Sequence, residues 1–343
     1  MPVIEYKCPN CGSGMMFDSV TGALSCPSCG RKDDIEQLPD PLKRQVFEAG
    51  EVKEYHCTSC GAVIVTEPET SATTCSFCGS AVVLADRLSG ELAPAKVIPF
   101  SIGKEEAKRA FKKWCKKGLL TPSFFMTADR IKGITGIYVP FWLYELHNKV
   151  VVSGTGTKIR TYTQGDFDYT ETRYFNIYRR IRLNFVNLPI DASAKMNDAL
   201  MDKLEPFPQN KMKEFKTPYL AGYIAEKYSY TDEELLPRAK DKMMPYIDEY
   251  VSSTVSQYNS VSFTDEHIDT AMKKADYALL PVWMVQYDYK GKEYTFAMNG
   301  HTGKIVGKPP ISKVKVTAWF TGIGGISFVA LKTVSWIMGG GFL

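Results

Sequence analysis

The sequence predicts an α+β protein, and three observations carry that reading. Two cysteine quartets near the N-terminus share one spacing, a long middle stretch alternates helical and strand patterns, and the last 28 residues hold a single charge. At 343 residues the chain has room for two or three domains. Hydrophobic residues make up 44% and charged ones 23%, which excludes wholesale disorder.

The first quartet is Cys8, Cys11, Cys26 and Cys29; the second is Cys57, Cys60, Cys75 and Cys78, each 49 positions after its counterpart. Every Cys-x-x-Cys runs into glycine (Gly12, Gly30, Gly61, Gly79), and the lead-in Glu5-Tyr6-Lys7 is matched by Glu54-Tyr55-His56. Four thiolates suit a tetrahedral Zn²⁺ ion, and a glycine just after the pair allows the positive φ of a tight turn. Disulfides and a redox pair are the competing readings. Met1–Tyr6 lacks the pattern of a secretory signal, so the thiols are expected in a reducing cytoplasm. A redox pair has no need of duplicated quartets. The reading is two Cys₄ sites, two Zn²⁺ per chain, in tandem zinc ribbons over residues 1–34 and 54–88.

Charge limits what those ribbons can contact. Residues 1–90 hold seven Lys and Arg against twelve Asp and Glu, leaving 35 bases and 26 acids for the rest of the chain. Each Zn(Cys)₄ centre adds further negative charge. Non-specific DNA affinity comes mainly from Lys and Arg on phosphates, so nucleic acid is not the expected partner of these ribbons.

The elements after the first ribbon follow in order. Residues 35–53 read as a helical linker, with Asp40-Pro41 opening a short helix that Gly50 ends. From Ile102 to Gly118, Ala107, Ala110, Phe111, Trp114 and Cys115 share one helical face, while basic residues from Lys104 to Lys117 decorate the other. Contact with lipid headgroups or an acidic partner is one reading; a core-packing helix with a solvated charged face is the favoured one. Cys115, the ninth cysteine, then reads as a buried, inert thiol.

Residues 89–312 read as a cytoplasmic α+β domain. Ile137–Tyr144 is aromatic and β-branched, with Pro140 pointing to an edge or a bulge. Val150–Tyr162 and Tyr169–Val186 continue as antiparallel strands around a loop at Gly165-Asp166. Helices are expected near Ser193–Leu204, Thr231–Tyr258 and Asp265–Ala275; Thr231 with Glu234 forms a capping box, and Pro237 and Pro245 kink or divide the second helix. Tyr277–Val285 is a second aromatic strand. Its Pro281-x-Trp283 matches Pro140-x-Trp142, which hints at two related halves. Asn299-Gly300 joins Glu293–Met298 to Lys304–Val306 as a hairpin.

The remaining segment, residues 313–343, reads as a transmembrane tail anchor. Val316–Ile337 is 22 residues, roughly 33 Å as a helix, against a bilayer core of ~30 Å. Lys332 opposes burial in lipid, but its stem can snorkel to the far interface or its ammonium can pair with a partner helix. A helix buried in the large domain and a lipid-surface hairpin are the alternatives. Lys308, Lys313 and Lys315 flank the near side, which by the positive-inside rule keeps the bulk cytoplasmic and sends the C-terminus across.

No catalytic constellation stands out. The four histidines (His56, His147, His267, His301) are scattered, and there is no Walker, Rossmann, Gly-x-Ser-x-Gly or His-Glu-x-x-His motif. His56 adjoins Cys57, but that quartet is complete without it.

The Cys-Pro-Asn-Cys-Gly and Cys-Pro-Ser-Cys-Gly knuckles, the Tyr-Val-Pro-Phe-Trp stretch, Met298-Asn299-Gly300 and the apolar tail, taken in that order, resemble the TFIIB-type zinc-ribbon proteins of Gram-positive bacteria. The resemblance implies a membrane protein of a phage-shock-type envelope-stress system, acting with other membrane and cytosolic proteins rather than as an enzyme. The expectation is therefore an adaptor or scaffold anchored in the cell membrane by a single C-terminal helix. A membrane-tethered nucleic-acid-binding protein is the alternative.

Overall fold

The computed structural model describes residues 3–38, 55–60, 63, 64, 66, 70–75, 80–84, 88, 93–116, 118, 120–122, 125 and 131–337. The helix expected from Pro41 to Gly50 lies outside them. The first quartet sits among β1 (Val3–Ile4), β2 (Met16–Asp18), β3 (Ala23–Ser25) and β4 (Lys32–Asp33). The second sits among β5 (Tyr55–His56), β6 (Val63–Ile64), β7 (Thr70–Thr74) and β8 (Ala81–Leu84). Strand register keeps the 49-residue repeat. Lys7 lies opposite Gly14 as His56 lies opposite Val63, and Ser25 opposite Lys32 as Thr74 lies opposite Ala81.

The larger part runs β9 (Lys96–Val97), α1 (Lys104–Lys116), β10 (Ile131–Gln164), β11 (Phe167–Asp191), α2 (Asp198–Leu204), β12 (Lys213–Glu214), β13 (Ile224–Glu226), α3 (Asp232–Ser253), β14 (Ser260–Tyr289), β15 (Lys292–Asn299), β16 (Ile305–Gly307) and α4 (Lys313–Ile337). One mixed sheet orders its strands β1-β8-β7-β13-β10-β14-β15-β16, with β11 also on β10 and β9 also on β14. Each cysteine module is tied to this sheet without lying wholly in it: β8 pairs with β1 and Ala72 of β7 lies opposite Ala225 of β13, while β2-β3-β4 and β5-β6 form small sheets of their own. Strand pairing thus runs across residue 88.

The mixed α+β class is as the sequence predicts, but two readings within it are corrected. Asp265–Ala275, expected as a helix, belongs to β14. Its Ile268 and Met272 fit a helical spacing as well as a strand, and pairing with β10 from Tyr277↔Trp142 to Ser260↔Thr157 decides for the strand. Lys273 lies in the bulge between Glu145↔Lys274 and Leu146↔Met272, where the register shifts. Pro140 and Pro281 sit in the middle of the sheet, not on an edge. On the far side of β10 the neighbour changes from β13 (at Tyr138) to β11 (at Phe141), and Pro140 lies in that gap. Pro281 likewise lies where β14 passes from β9 to β15. The missing N–H falls where no strand needs it.

These prolines mark an internal duplication. The order short strand, helix, long hairpin occurs as β9-α1-β10-β11 and again as β13-α3-β14-β15. The short strands are exchanged: Ile224 and Ala225 lie parallel to Ile137 and Tyr138, while Lys96 and Val97 lie parallel to Ala278 and Leu279, each pair 141 positions on (278 − 137). Val139 lies opposite Leu280 at the centre of the resulting local two-fold. Ala192 N–H reaches Pro140 O at 2.9 Å, as Gly300 N–H reaches Pro281 O at 2.8 Å.

Asp191 and Asn299 are equivalent across that two-fold, opposite Phe141 and Val282, and both are buried. Asp191 Oδ1 accepts from Ser193 N–H, and Asn299 Oδ1 from His301 N–H, both at 3.0 Å. Asp191 Oδ2 has no partner among the described residues. Burial pushes this carboxyl up to about 7, against the Ser193 N–H and Arg238, which favour the charge. Between the ordinary carboxylate range and that value the folded chain holds a proton that the unfolded chain has released, so stability falls as pH rises through the window. Asp191→Asn copies the other half. It is expected to flatten the profile of Tm between pH ~4 and ~7, without loss of folding; an unchanged slope would exclude Asp191 as its source.

Three helices close the core. α3 packs Ala239, Met243, Ile247 and Val251 on Tyr144, Leu146, Val150 and Ile190, and the helix runs as one element from Asp232 to Ser253 with Pro237 and Pro245 inside it. Thr231 and Glu234 form the expected capping box. α2 packs Met201 and Leu204 on Phe141 and Ala297. α1 buries Ala107, Phe111 and Cys115, as the core-packing reading has it. Phe100 lies under the two-fold, stacked on Tyr223 at 4.2 Å and edge-on to Tyr138 and Trp283 at 5.0 and 5.1 Å. Phe100→Ala is expected to cost ~3–5 kcal/mol, read from the urea unfolding midpoint.

α4 stands off this core. Every side chain from Val316 to Val334 is exposed, Phe320 at 80% and Ile326 at 73%. A helix buried in the large domain is thereby excluded. Lys313–Val334 is long and apolar enough to cross a membrane.

Candidate metal centres

Each knuckle is built by its own backbone. Cys8 N–H donates to Ser13 O and Gly12 N–H returns to Cys8 O, both at 2.8 Å, with Gly12 at φ 72°. Cys26, Arg31 and Gly30 repeat the arrangement, with Gly30 at φ 76°. In the second module Cys75 N–H donates to Ser80 O at 2.8 Å. The turn points both sulfurs of a knuckle to one side, and the glycine takes the left-handed conformation that closes it.

The four sulfurs of Cys8, Cys11, Cys26 and Cys29 all lie within 4.8 Å of one another. Cys8 Sγ is 3.5 Å from Cys29 Sγ, and Cys11 Sγ 3.6 Å from Cys26 Sγ. A tetrahedron with metal–sulfur bonds of ~2.3 Å has S···S edges of about 3.8 Å, whereas a disulfide requires ~2.05 Å. Cys57, Cys60 and Cys75 converge in the same way, with Cys60 and Cys75 at 3.8 Å. Cys78 lies outside the described residues, as do Gly61 and Gly79. Both clusters could hold a metal ion. In each, the first cysteine of a knuckle is buried and the second, where described, exposed.

The electrostatics of the first cluster show what an ion would do there. Backbone N–H groups of Cys29 and then Ser28 hold the Cys26 thiol down at about 6. Although the Arg31 N–H favours its charge, hydrogen bonding with Cys8, together with burial, pushes Cys29 up to about 12. One thiolate forms readily and the next are repelled, a barrier that a bound cation removes. Four protein sulfurs in the first cluster would fill a tetrahedral ion's coordination, the arrangement of a structural site.

Sequence reasoning passed over the residue that links the modules. Glu5, buried in the first lead-in, accepts from Ser59 N–H at 3.1 Å, Ser59 Oγ at 2.7 Å and Cys57 Sγ at 3.3 Å. Burial opposes its charge, but these donors, with Lys7 and Thr58, hold the carboxyl down at about 2. The repeated Glu-Tyr lead-in was the available signal. His56, by contrast, stays exposed on β5.

Phe17 anchors the first module on the large sheet. Its N–H donates to Ala221 O at 2.9 Å and its ring meets Tyr219 edge-on at 5.4 Å. Lys216 Nζ adds an ion pair with Glu36 at 2.8 Å.

Over 340 residues, 99% of this chain and the whole of the relative, the sequence is 63% identical to the uncharacterized protein YdjG of Bacillus subtilis (strain 168). The chain belongs to the YdjG family. No family model matches the chain, and no solved structure matches it. The match to YdjG spans both cysteine modules, the duplicated sheet and nearly all of the apolar tail.

Proposed function

We propose that this member of the YdjG family is a membrane-anchored zinc-ribbon scaffold that docks partner proteins at the cytoplasmic face of the cell membrane, in an envelope-stress response. The observation that carries this reading is that two convergent cysteine clusters, four sulfurs in one and three described in the other, adjoin strands of one large sheet whose chain runs on into an exposed apolar helix. All eight cysteines, Cys78 included, serve as Zn²⁺ ligands, two ions per chain; thiolate-only donors favour zinc in a reducing compartment. The modules are of the TFIIB ribbon type and are rigid through their shared core. α4 crosses the bilayer once, with the bulk of the chain cytoplasmic. No reaction is assigned to the chain, because closed thiolate sites supply structure and a docking surface.

A second reading, membrane-tethered nucleic-acid binding, draws on the β10–β11 arm. There Lys158, Arg160, Arg173 and Arg180 are exposed beside Tyr162, Tyr169 and Tyr174. Titration of the full chain with duplex and single-stranded DNA over a range of salt separates the two. The scaffold reading predicts no binding with a multi-phosphate salt slope; log K falling by several units per decade of salt would favour the second.

A further inference from the structure

The cleft between α2 and β15–β16 has a chemistry that the cysteine modules do not explain. It is an open cleft of about 940 Å³ whose lining brings Leu200, Met284 and Val306 together with Lys195, Lys203 and Lys308. No acidic side chain lines it. Lys203 and Lys308 are exposed and, among the described residues, make no ion pair. The volume is that of a small-molecule site, not of a protein groove. Three cations beside an apolar slot match an amphiphile with an anionic head.

The position of the cleft selects the source of that amphiphile. Lys308 precedes the start of α4 by five residues, at most about 17 Å of extended chain. The connection is held to the domain: Pro310 is buried, Ser312 N–H donates to Leu120 O at 2.8 Å, and Lys315 Nζ donates to Thr121 O at 2.7 Å. The cleft therefore keeps a fixed place beside the end of the helix where the chain would enter the bilayer.

We infer that this cleft binds the headgroup and upper acyl chain of an anionic phospholipid from the adjoining leaflet, an inference that rests on α4 spanning the membrane. The lysines meet the phosphate while Leu200, Met284 and Val306 receive the first methylenes. Lipid occupancy would orient the sheet, and with it both cysteine modules, relative to the membrane surface.

The test uses the full chain in nanodiscs of phosphatidylcholine doped with phosphatidylglycerol. Lipids retained after gentle detergent release are read by native mass spectrometry, with inorganic phosphate as competitor. Wild type is expected to enrich phosphatidylglycerol; Lys203→Glu is expected to lower the enrichment by at least about fivefold, the worth of one lysine at an anionic surface, with the reversed charge adding to it. Leu200→Trp fills the slot without a change of charge and is expected to lower it as well, whereas Lys240→Gln, exposed on α3 and outside the cleft, is not. Equal retention of the two lipids, enrichment untouched by Lys203→Glu and Leu200→Trp, or full displacement by phosphate would each overturn the inference. A chain that fails to enter nanodiscs refutes the spanning helix instead, which separates the two failures.

Discussion

Cys8→Ser is expected to remove one of two bound zinc ions, and Cys57→Ser the other, as measured by metal analysis of the purified full chain. Loss of one thiolate leaves three ligands and a buried hydroxyl that binds zinc poorly, so the affected site empties while the other stays full. The consequence reaches past the site. Cys8 and Cys26 are buried with Phe17, Leu24 and Tyr219 in the largest core cluster, so an emptied first site loosens the packing of β2–β4 against the sheet. Structural zinc contributes apparent binding free energies of ~10–16 kcal/mol in small domains, more than the whole stability of many of them. Cys8→Ser is therefore expected to lower Tm and to open the first module to protease. Zinc unchanged in Cys8→Ser, or lost from both sites at once in either variant, would refute two independent four-cysteine centres.

Removal of residues 313–343 is expected to move the chain from the membrane to the soluble fraction. The magnitude follows from the exposed face of α4, where nineteen consecutive residues from Val316 to Val334 lie outside the core. Lys315 is held to the domain at Thr121 O, but among the described residues Val316–Val334 is wholly exposed, so the truncated chain should fold, with an unfolding midpoint close to that of the full chain. Fractionation unchanged by the deletion would refute the anchor. Lys332 is the one charge among those nineteen. Its Nζ lies 5.8 Å from the Phe328 ring centroid, which screens it along the helix.

Much of this was legible before the fold was seen, for identifiable reasons. The cysteine spacing carried over into sulfur convergence because the ligands sit on local turns, which the sequence between them specifies completely. The tail was legible because composition alone sets the length of an apolar helix. Thr231 and Glu234 marked the start of α3 for the same local reason. What failed was non-local. Asp265–Ala275 has the composition of a helix and became a strand through pairing with β10, more than a hundred residues earlier. Pro140 read as an edge or a bulge because the change of neighbour strand beside it, like that beside Pro281, is set by chain hundreds of ångströms of contour away, in the exchanged strands β13 and β9. The match of Pro140-x-Trp142 with Pro281-x-Trp283 was the visible trace of that exchange. Glu5 was visible only as part of a repeat; its role needs Ser59 and Cys57 folded against it.

The docking role is tested most directly by crosslinking and affinity purification from intact membranes, comparing the full chain with a Cys8→Ser/Cys57→Ser double variant that keeps α4. The account predicts a defined set of membrane and cytosolic proteins captured by the wild type and lost from the double variant, although both remain in the membrane. The same set captured by both would contradict a scaffold that works through its cysteine modules.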